Sequence, residues 1–147
     1  MVYNRNSPKF QAPHRRKVLE ILLIFKGKFY SIKIVRSILR SKIHKAIVTD
    51  AQVQYVGSIT IDEDLIEKVG LWPGEKVLVA SNTSGQRIET YVLAGPRGSG
   101  VICMNGAAAH RIKKGEEIII MGFELSEKPL EPKIILVDRS NRFVKYL

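Results

Sequence analysis

Short stretches in which apolar and polar residues alternate recur along the chain from about residue 34 onward. Alternation with a period of two is typical of a half-buried β-strand, whereas an amphipathic helix repeats every three to four residues. The pattern predicts strands at residues 42–49, 55–62, 76–80, 86–94, 101–104, 117–123 and 133–138. Strands of this number and spacing predict an all-β fold with short helices and favour a closed barrel over a sandwich.

Local signals predict one short helix and a hairpin. Asp62 stands at an N-cap position, residues 63–69 form the helix, and Gly70 ends it. The turn at residues 82–85 makes 86–94 the return arm of a hairpin that starts at 76–80. A further strong turn signal, Asn-Gly at 105–106, precedes three alanines that can start one helical turn.

Composition places the chain among globular proteins of one domain. With 147 residues and 45% hydrophobic content, it is long enough to bury a real core. The single cysteine, Cys103, has no partner for an internal disulfide and lies in the apolar run 101–104. We therefore predict a buried, inert thiol, which is compatible with a reducing cytoplasm.

The net charge of +10 is concentrated at the N-terminus. Residues 1–33 carry eight basic side chains and one acidic side chain, whereas the remainder carries 16 basic and 13 acidic ones. The charge therefore belongs to a leader and argues against a nucleic-acid partner for the folded body. The apolar run 18–25 is interrupted by Glu20 and is far short of the ~20 residues that span a bilayer. We interpret 1–33 as an N-terminal extension from a misassigned translation start, with a basic amphipathic anchor as the alternative.

Two Gly-Ser pairs, Gly57-Ser58 and Gly98-Ser99, carry candidate chemistry. A serine hydroxyl held against the preceding carbonyl can attack it and shift the acyl group from nitrogen to oxygen, and a glycine leaves room for that geometry. On composition alone, a glycine in a strand is more often an ordinary bulge. The residue types leave both pairs open as sites of backbone cleavage.

Other residues bear on three further kinds of site: a substrate pocket, a metal site and a nucleotide-binding site. Period-two geometry puts Arg87 and Tyr91 on one strand face, where both could reach one pocket, although Arg87 beside Glu89 also fits a solvated face. The histidines at 14, 44 and 110 have no metal-ligand spacing, so no metal is predicted. The chain has no Gly-rich dinucleotide or P-loop motif.

Five blocks of sequence stand out when they are taken together: residues 41–46, 55–62, 85–87 with 90–91, 97–102 with 105–110, and 132–138. In this order they resemble the pyruvoyl-dependent aspartate 1-decarboxylase family. The resemblance covers about 34–138. The first 33 residues have no counterpart in it, and the segment between 123 and 132 departs from the family pattern.

The resemblance implies a single double-psi β-barrel domain over residues 34–147, assembled as a homotetramer with active sites shared between subunits. It implies self-cleavage between Gly57 and Ser58 into a β chain (1–57) and an α chain (58–147), either spontaneous or helped by a maturation factor. Ser58 would become a pyruvoyl cofactor that forms a Schiff base with the substrate. The enzyme, a cytoplasmic carboxy-lyase with no nucleic-acid or membrane partner, would convert L-aspartate to β-alanine and CO2 for pantothenate and coenzyme A synthesis.

The resemblance also assigns roles to single residues. Tyr91 corresponds to the proton donor, and His44 and Tyr55 lie close to the scissile bond. The substrate-binding positions are Lys42, Arg87, Thr90, Asn105, Gly106, Ala107 and Ala108. Alternation turns Thr90 away from Tyr91, so we expect a bulge or a second subunit to bring them together. We further hypothesise that Arg87 holds the side-chain carboxylate, because tight binding of the departing carboxylate would oppose the reaction.

Two other classes of function remain open. A barrel that keeps the fold but never cleaves itself would act as a binding or assembly module. A basic nucleic-acid binder would be retained on polyanions through its leader, in a salt-dependent way. Self-cleavage at Gly57-Ser58 is expected only of the enzyme and therefore distinguishes it from these two classes.

Overall fold

The computed structural model describes the backbone of residues 21–25 and 28–147, and the side chains from residue 33 onward. The basic cluster before residue 20 and His14 lie outside the described residues. The chain divides into two compact units, with the boundary between Ile34 and Val35. In the first unit, β1 (Ile21–Phe25) pairs antiparallel with β2 (Lys28–Ile32) to form a two-stranded sheet.

The second unit is built from nine strands and two short helices. The strands are β3 Arg36–Ile47, β4 Asp50–Gln52, β5 Ser58–Asp62, β6 Lys76–Ser81, β7 Arg87–Gly95, β8 Ile102–Asn105, β9 Glu117–Ser126, β10 Lys133–Val137 and β11 Phe143–Tyr146. The helices are α1 Glu63–Val69 and α2 Ala108–Arg111. The strand order is β11-β10-β3-β9-β6-β7-β5-β8-β4, with three parallel pairs, β3–β10, β4–β8 and β5–β7, among antiparallel ones. The predicted all-β fold is confirmed.

The observed strand ends differ from the predicted ones where a strand pairs with a segment far away in the sequence. β3 begins at Arg36 rather than residue 42, and β9 runs to Ser126 rather than residue 123, because these two strands pair with each other from end to end. β11 was not predicted and pairs with β10. The strand predicted at residues 55–62 instead starts three residues later, at Ser58, and so excludes Gly57.

Helix α1 follows its local signals. The Asp62 carboxylate accepts a hydrogen bond from Asp64 N at 2.9 Å, and Gly70 closes the helix at φ 68°. The same carboxylate accepts from Gly98 N and Gly100 N at 3.0 and 2.7 Å. Asp62 therefore caps the helix and also fixes the glycine-rich loop against the end of β5.

The core fills the space between the strands and α1. It is dominated by branched aliphatic side chains, which suit buried sheet positions. Ile43, Ile59, Ile61, Ile102 and Ile120 have no exposed surface. Within the described part of the chain, no helix combines the length and apolar character needed to cross a bilayer.

Candidate active site

Ser58 is the first residue of β5 and is fully buried. It lies opposite Asn105, the last residue of β8, in the antiparallel β5–β8 pair. Asn105 Nδ2 donates hydrogen bonds to Ser58 Oγ at 2.8 Å and to Thr60 Oγ1 at 2.9 Å. The Ser58 hydroxyl donates to the Val56 carbonyl at 3.4 Å. The serine oxygen thus accepts a hydrogen bond from a neutral donor, and its own hydrogen bond goes to the carbonyl two residues earlier in the chain.

Cys103 orients the Asn105 amide. Its thiol lies 3.3 Å from Asn105 Oδ1 and donates to it, which leaves the amide NH2 facing Ser58 and Thr60. Burial, and then the nearby Asp50 charge, raise the pKa of the Cys103 thiol, so it remains a protonated donor. The predicted buried thiol is confirmed.

A cavity of about 430 Å³ opens next to Ser58. It is lined by Gly57, Ser58, Ile88, Glu89, Thr90, Tyr91, Asn105, Ala107, Ala108 and Arg111. The structure therefore brings together most of the residues that the resemblance assigned to catalysis and substrate binding. Gly106 is adjacent in sequence to this set but is not part of the lining.

Four consecutive residues of β7, from Ile88 to Tyr91, border the cavity. The register of β7 against β6 is regular here, so the expected bulge is absent. β5 pairs with β7 only from Val92 onward, so the cavity takes the place of a neighbouring strand beside the first half of β7. Residues from both faces of β7, Thr90 and Tyr91 included, therefore reach it in one subunit.

Besides Gly106, four predicted site residues do not line this cavity: Lys42, His44, Tyr55 and Arg87. Arg87 is exposed at the start of β7, and Tyr55 is exposed in the turn before Ser58. Lys42 and His44 lie on β3, which shifts register against β9 between Ile43 and Ala46.

His44 sits within this bulge of β3, next to Lys45 at φ 65°. Its Nδ1 is buried and has no hydrogen-bond partner among the described residues. Burial, and then the charges of Lys42 and Lys45, lower the pKa of His44. The imidazole is therefore neutral at pH 7.

Sequence reasoning missed two charged residues that line the cavity, Glu89 and Arg111. Arg111 ends α2, one position beyond the 105–110 segment of the resemblance, and is the only cation among the described lining residues. Glu89 is paired with Lys76 Nζ at 3.2 Å. Nothing in the local sequence distinguishes Arg111 from other exposed basic residues, since its placement depends on how α2 packs.

The second Gly-Ser pair is in a different environment. Ser99 is exposed and its hydroxyl donates to the Pro96 carbonyl at 2.6 Å, while the Gly98 carbonyl accepts from Arg142. Neither residue borders the cavity. Among the described residues, no cluster of His, Cys, Asp or Glu is arranged to hold a metal ion.

These features define a class: a small β-barrel in which an exposed glycine and the buried serine that follows it border a cavity. The profile of a family described as aspartate decarboxylase matches residues 34–144. An aspartate 1-decarboxylase of Neisseria meningitidis is 50% identical over 111 residues, covering 73% of this chain and 87% of that protein. One from Bacillus subtilis is 46% identical over 116 residues, covering 76% and 91%. The chain belongs to the aspartate decarboxylase family, and the double-psi β-barrel expected with it is confirmed.

Proposed function

We propose that this chain cleaves itself between Gly57 and Ser58, and that the mature protein decarboxylates L-aspartate to β-alanine and CO2. The observation that carries the proposal is the 2.8 Å hydrogen bond from Asn105 Nδ2 to Ser58 Oγ at the edge of the cavity. The relatives named aspartate 1-decarboxylase support the choice of substrate. The β-alanine would feed pantothenate and coenzyme A synthesis in the cytoplasm.

Self-cleavage begins with attack of Ser58 Oγ on the carbonyl carbon of Gly57. The C–N bond breaks as the C–O bond forms, and the proton of the hydroxyl passes to the amide nitrogen to give an ester. The Asn105 amide holds Ser58 Oγ in place for this attack, while negative charge develops on the Gly57 carbonyl oxygen. Elimination then frees the Gly57 carboxylate, and hydrolysis of the remaining dehydroalanine releases ammonia and leaves a ketone.

The surroundings of Ser58 fit a pyruvoyl group at this position. The donor next to it is a neutral amide, and Ala107 and Ala108 are small residues that leave the cavity open beside it. A bound pyruvoyl group supplies a ketone that condenses with an amine and acts as an electron sink during decarboxylation. Asn105 and Thr60 are the residues that would hold it.

Tyr91 is the proton donor in this proposal. It borders the same cavity as Ser58 and is 37% exposed, so its phenol can reach a substrate bound there. We assign it to protonation of the carbon that loses CO2. Thr90, Ala107 and Ala108 line the space in which the substrate would be oriented.

The cations Lys42 and Arg87 support a shared active site. A dicarboxylate needs positive charge, yet neither residue lines the cavity that contains Ser58 in its own subunit. We assign them to the cavity of a neighbouring subunit in a homotetramer, with Arg87 forming a bidentate pair with the substrate's side-chain carboxylate. Whether cleavage proceeds alone or with a maturation factor does not alter these assignments.

Incubation of purified protein with L-aspartate, followed by NMR detection of β-alanine, tests the proposed reaction. Ser58→Ala should abolish product, whereas Ser99→Ala, which alters the exposed pair, should retain it. Product formation that survives Ser58→Ala would overturn the proposal.

A further inference from the structure

Gly106 packs directly against the segment that contains the scissile bond. Its backbone N–H donates to the Gln52 carbonyl at 2.8 Å, and its φ is +59°. A Cβ atom at this position would lie 2.7 Å from the Tyr55 carbonyl oxygen and 2.8 Å from both Cα and N of Gly57. All three neighbours are backbone atoms, so no side-chain rotation could relieve the contact.

Gly57 itself has no comparable restriction. A Cβ added there would meet only the Asn105 carbonyl oxygen, at 4.0 Å, which is an ordinary contact. Its φ is not in the left-handed region, unlike that of Gly106. In the uncleaved chain, the steric need for glycine at this junction therefore lies at Gly106.

We propose that Gly106 is a positioning residue for self-cleavage, because its missing side chain lets the turn after β8 fix Gly57 at the distance that Ser58 requires. This inference rests on the proposed cleavage at Gly57-Ser58. It adds to the resemblance, which assigned Gly106 to substrate binding. Asn105 holds the attacking oxygen, and Gly106 holds the residue whose carbonyl carbon is attacked.

The size of the effect follows from the distances. Carbon atoms in contact are normally at least ~3.5 Å apart, so a Cβ at Gly106 would push Gly57 away by roughly 0.7 Å. A displacement of about 1 Å of a reacting group can cost about 100-fold in rate. We expect Gly106→Ala to slow cleavage roughly 10- to 100-fold.

Two glycines provide matched controls in the full-length chain. Gly85 has φ +75° and no atom within 4 Å of an added Cβ, so Gly85→Ala tests the left-handed backbone alone. Gly100 has φ +70° and would place a Cβ 2.4 Å from the Ser140 carbonyl oxygen, away from the scissile bond. Gly100→Ala therefore combines backbone strain with a backbone clash elsewhere in the barrel.

The assay follows the appearance of chain 58–147 by intact mass spectrometry, at a temperature where near-UV circular dichroism shows each variant folded. Slow cleavage in Gly106→Ala, with cleavage near the wild-type rate in both controls, is the expected result. Wild-type cleavage in Gly106→Ala would overturn the inference, as would equal slowing in Gly100→Ala. A Gly106→Ala protein that is unfolded at every temperature would also overturn it, because the residue would then be needed for the fold. Failure of the wild-type chain to cleave would instead overturn the proposed function.

Discussion

Replacing Asn105 with alanine removes the donor that contacts the attacking oxygen of Ser58. Asn105 is 2% exposed, and its Nδ2 donates to Ser58 Oγ at 2.8 Å and to Thr60 Oγ1 at 2.9 Å. Each lost hydrogen bond contributes about 0.5–1.5 kcal/mol to stability, so the free energy of unfolding should fall by about 1–3 kcal/mol. A misplacement of a reacting group by about 1 Å typically costs about 100-fold in rate. Asn105→Ala should therefore slow self-cleavage by that factor in a chain that still folds.

Asn141 offers a matched control for this variant. It is 1% exposed, and its Nδ2 donates to the Ile47 and Gly100 carbonyls at 2.8 and 2.7 Å; none of these residues lines the cavity beside Ser58. Asn141→Ala should lower the free energy of unfolding by at least as much, without slowing cleavage. Urea denaturation measures the stability of Ser58→Ala versions of both variants, and a time course of intact mass measures cleavage in chains that retain Ser58. Cleavage of Asn105→Ala at the wild-type rate would refute the assigned role of the amide. Equal slowing of cleavage in both variants would also refute it, because the slowing would then follow from lost stability alone.

Three further outcomes are expected. Gly57→Ala should cleave within about tenfold of the wild-type rate, because an added Cβ meets one atom at 4.0 Å. Complete loss of cleavage in a folded protein would contradict the inference that Gly57 has room for a side chain. Arg111→Gln should raise KM for L-aspartate by about 5- to 50-fold with little change in kcat, since one ion pair to a ligand contributes about 1–2 kcal/mol. Arg139→Gln, at an exposed arginine that does not line the cavity, is the control. An unchanged KM in Arg111→Gln would count against a role of Arg111 in substrate binding. Because the pKa of His44 is lowered in the folded chain, the unfolded chain binds more protons as pH falls below about 6.5. Stability should therefore decline below that pH, and His44→Gln should reduce the decline in urea titrations at pH 7.5 and 5.5; an unaltered decline would exclude His44 as its source.

Local signals were sufficient for some elements and insufficient for others. The helix between Asp62 and Gly70 was predictable because its cap, apolar face and stop signal all lie within nine consecutive positions. The full extent of β3 and β9 was not, because their outer halves are stabilised by pairing between segments far apart in sequence. β11 was missed for the same reason, since it forms only against β10.

In the candidate site, too, some features could be predicted from the sequence and others depend on the tertiary structure. Most of its residues were found through the resemblance, whereas the alternation along β7, which puts Thr90 and Tyr91 on opposite faces, could not show that both border one cavity. Both border the cavity because β5 does not pair with that part of β7, a feature of tertiary structure. The contact of Gly106 with Gly57 likewise depends on how two distant turns pack, and the sequence carries no sign of it.

The intact mass of the purified full-length protein tests the central claim most directly. The account predicts two chains, residues 1–57 ending in a free carboxylate and residues 58–147 lighter by one ammonia than the chain with an N-terminal serine. A single uncut polypeptide, after prolonged warming and with cell extract supplied as a source of any helper protein, would contradict it.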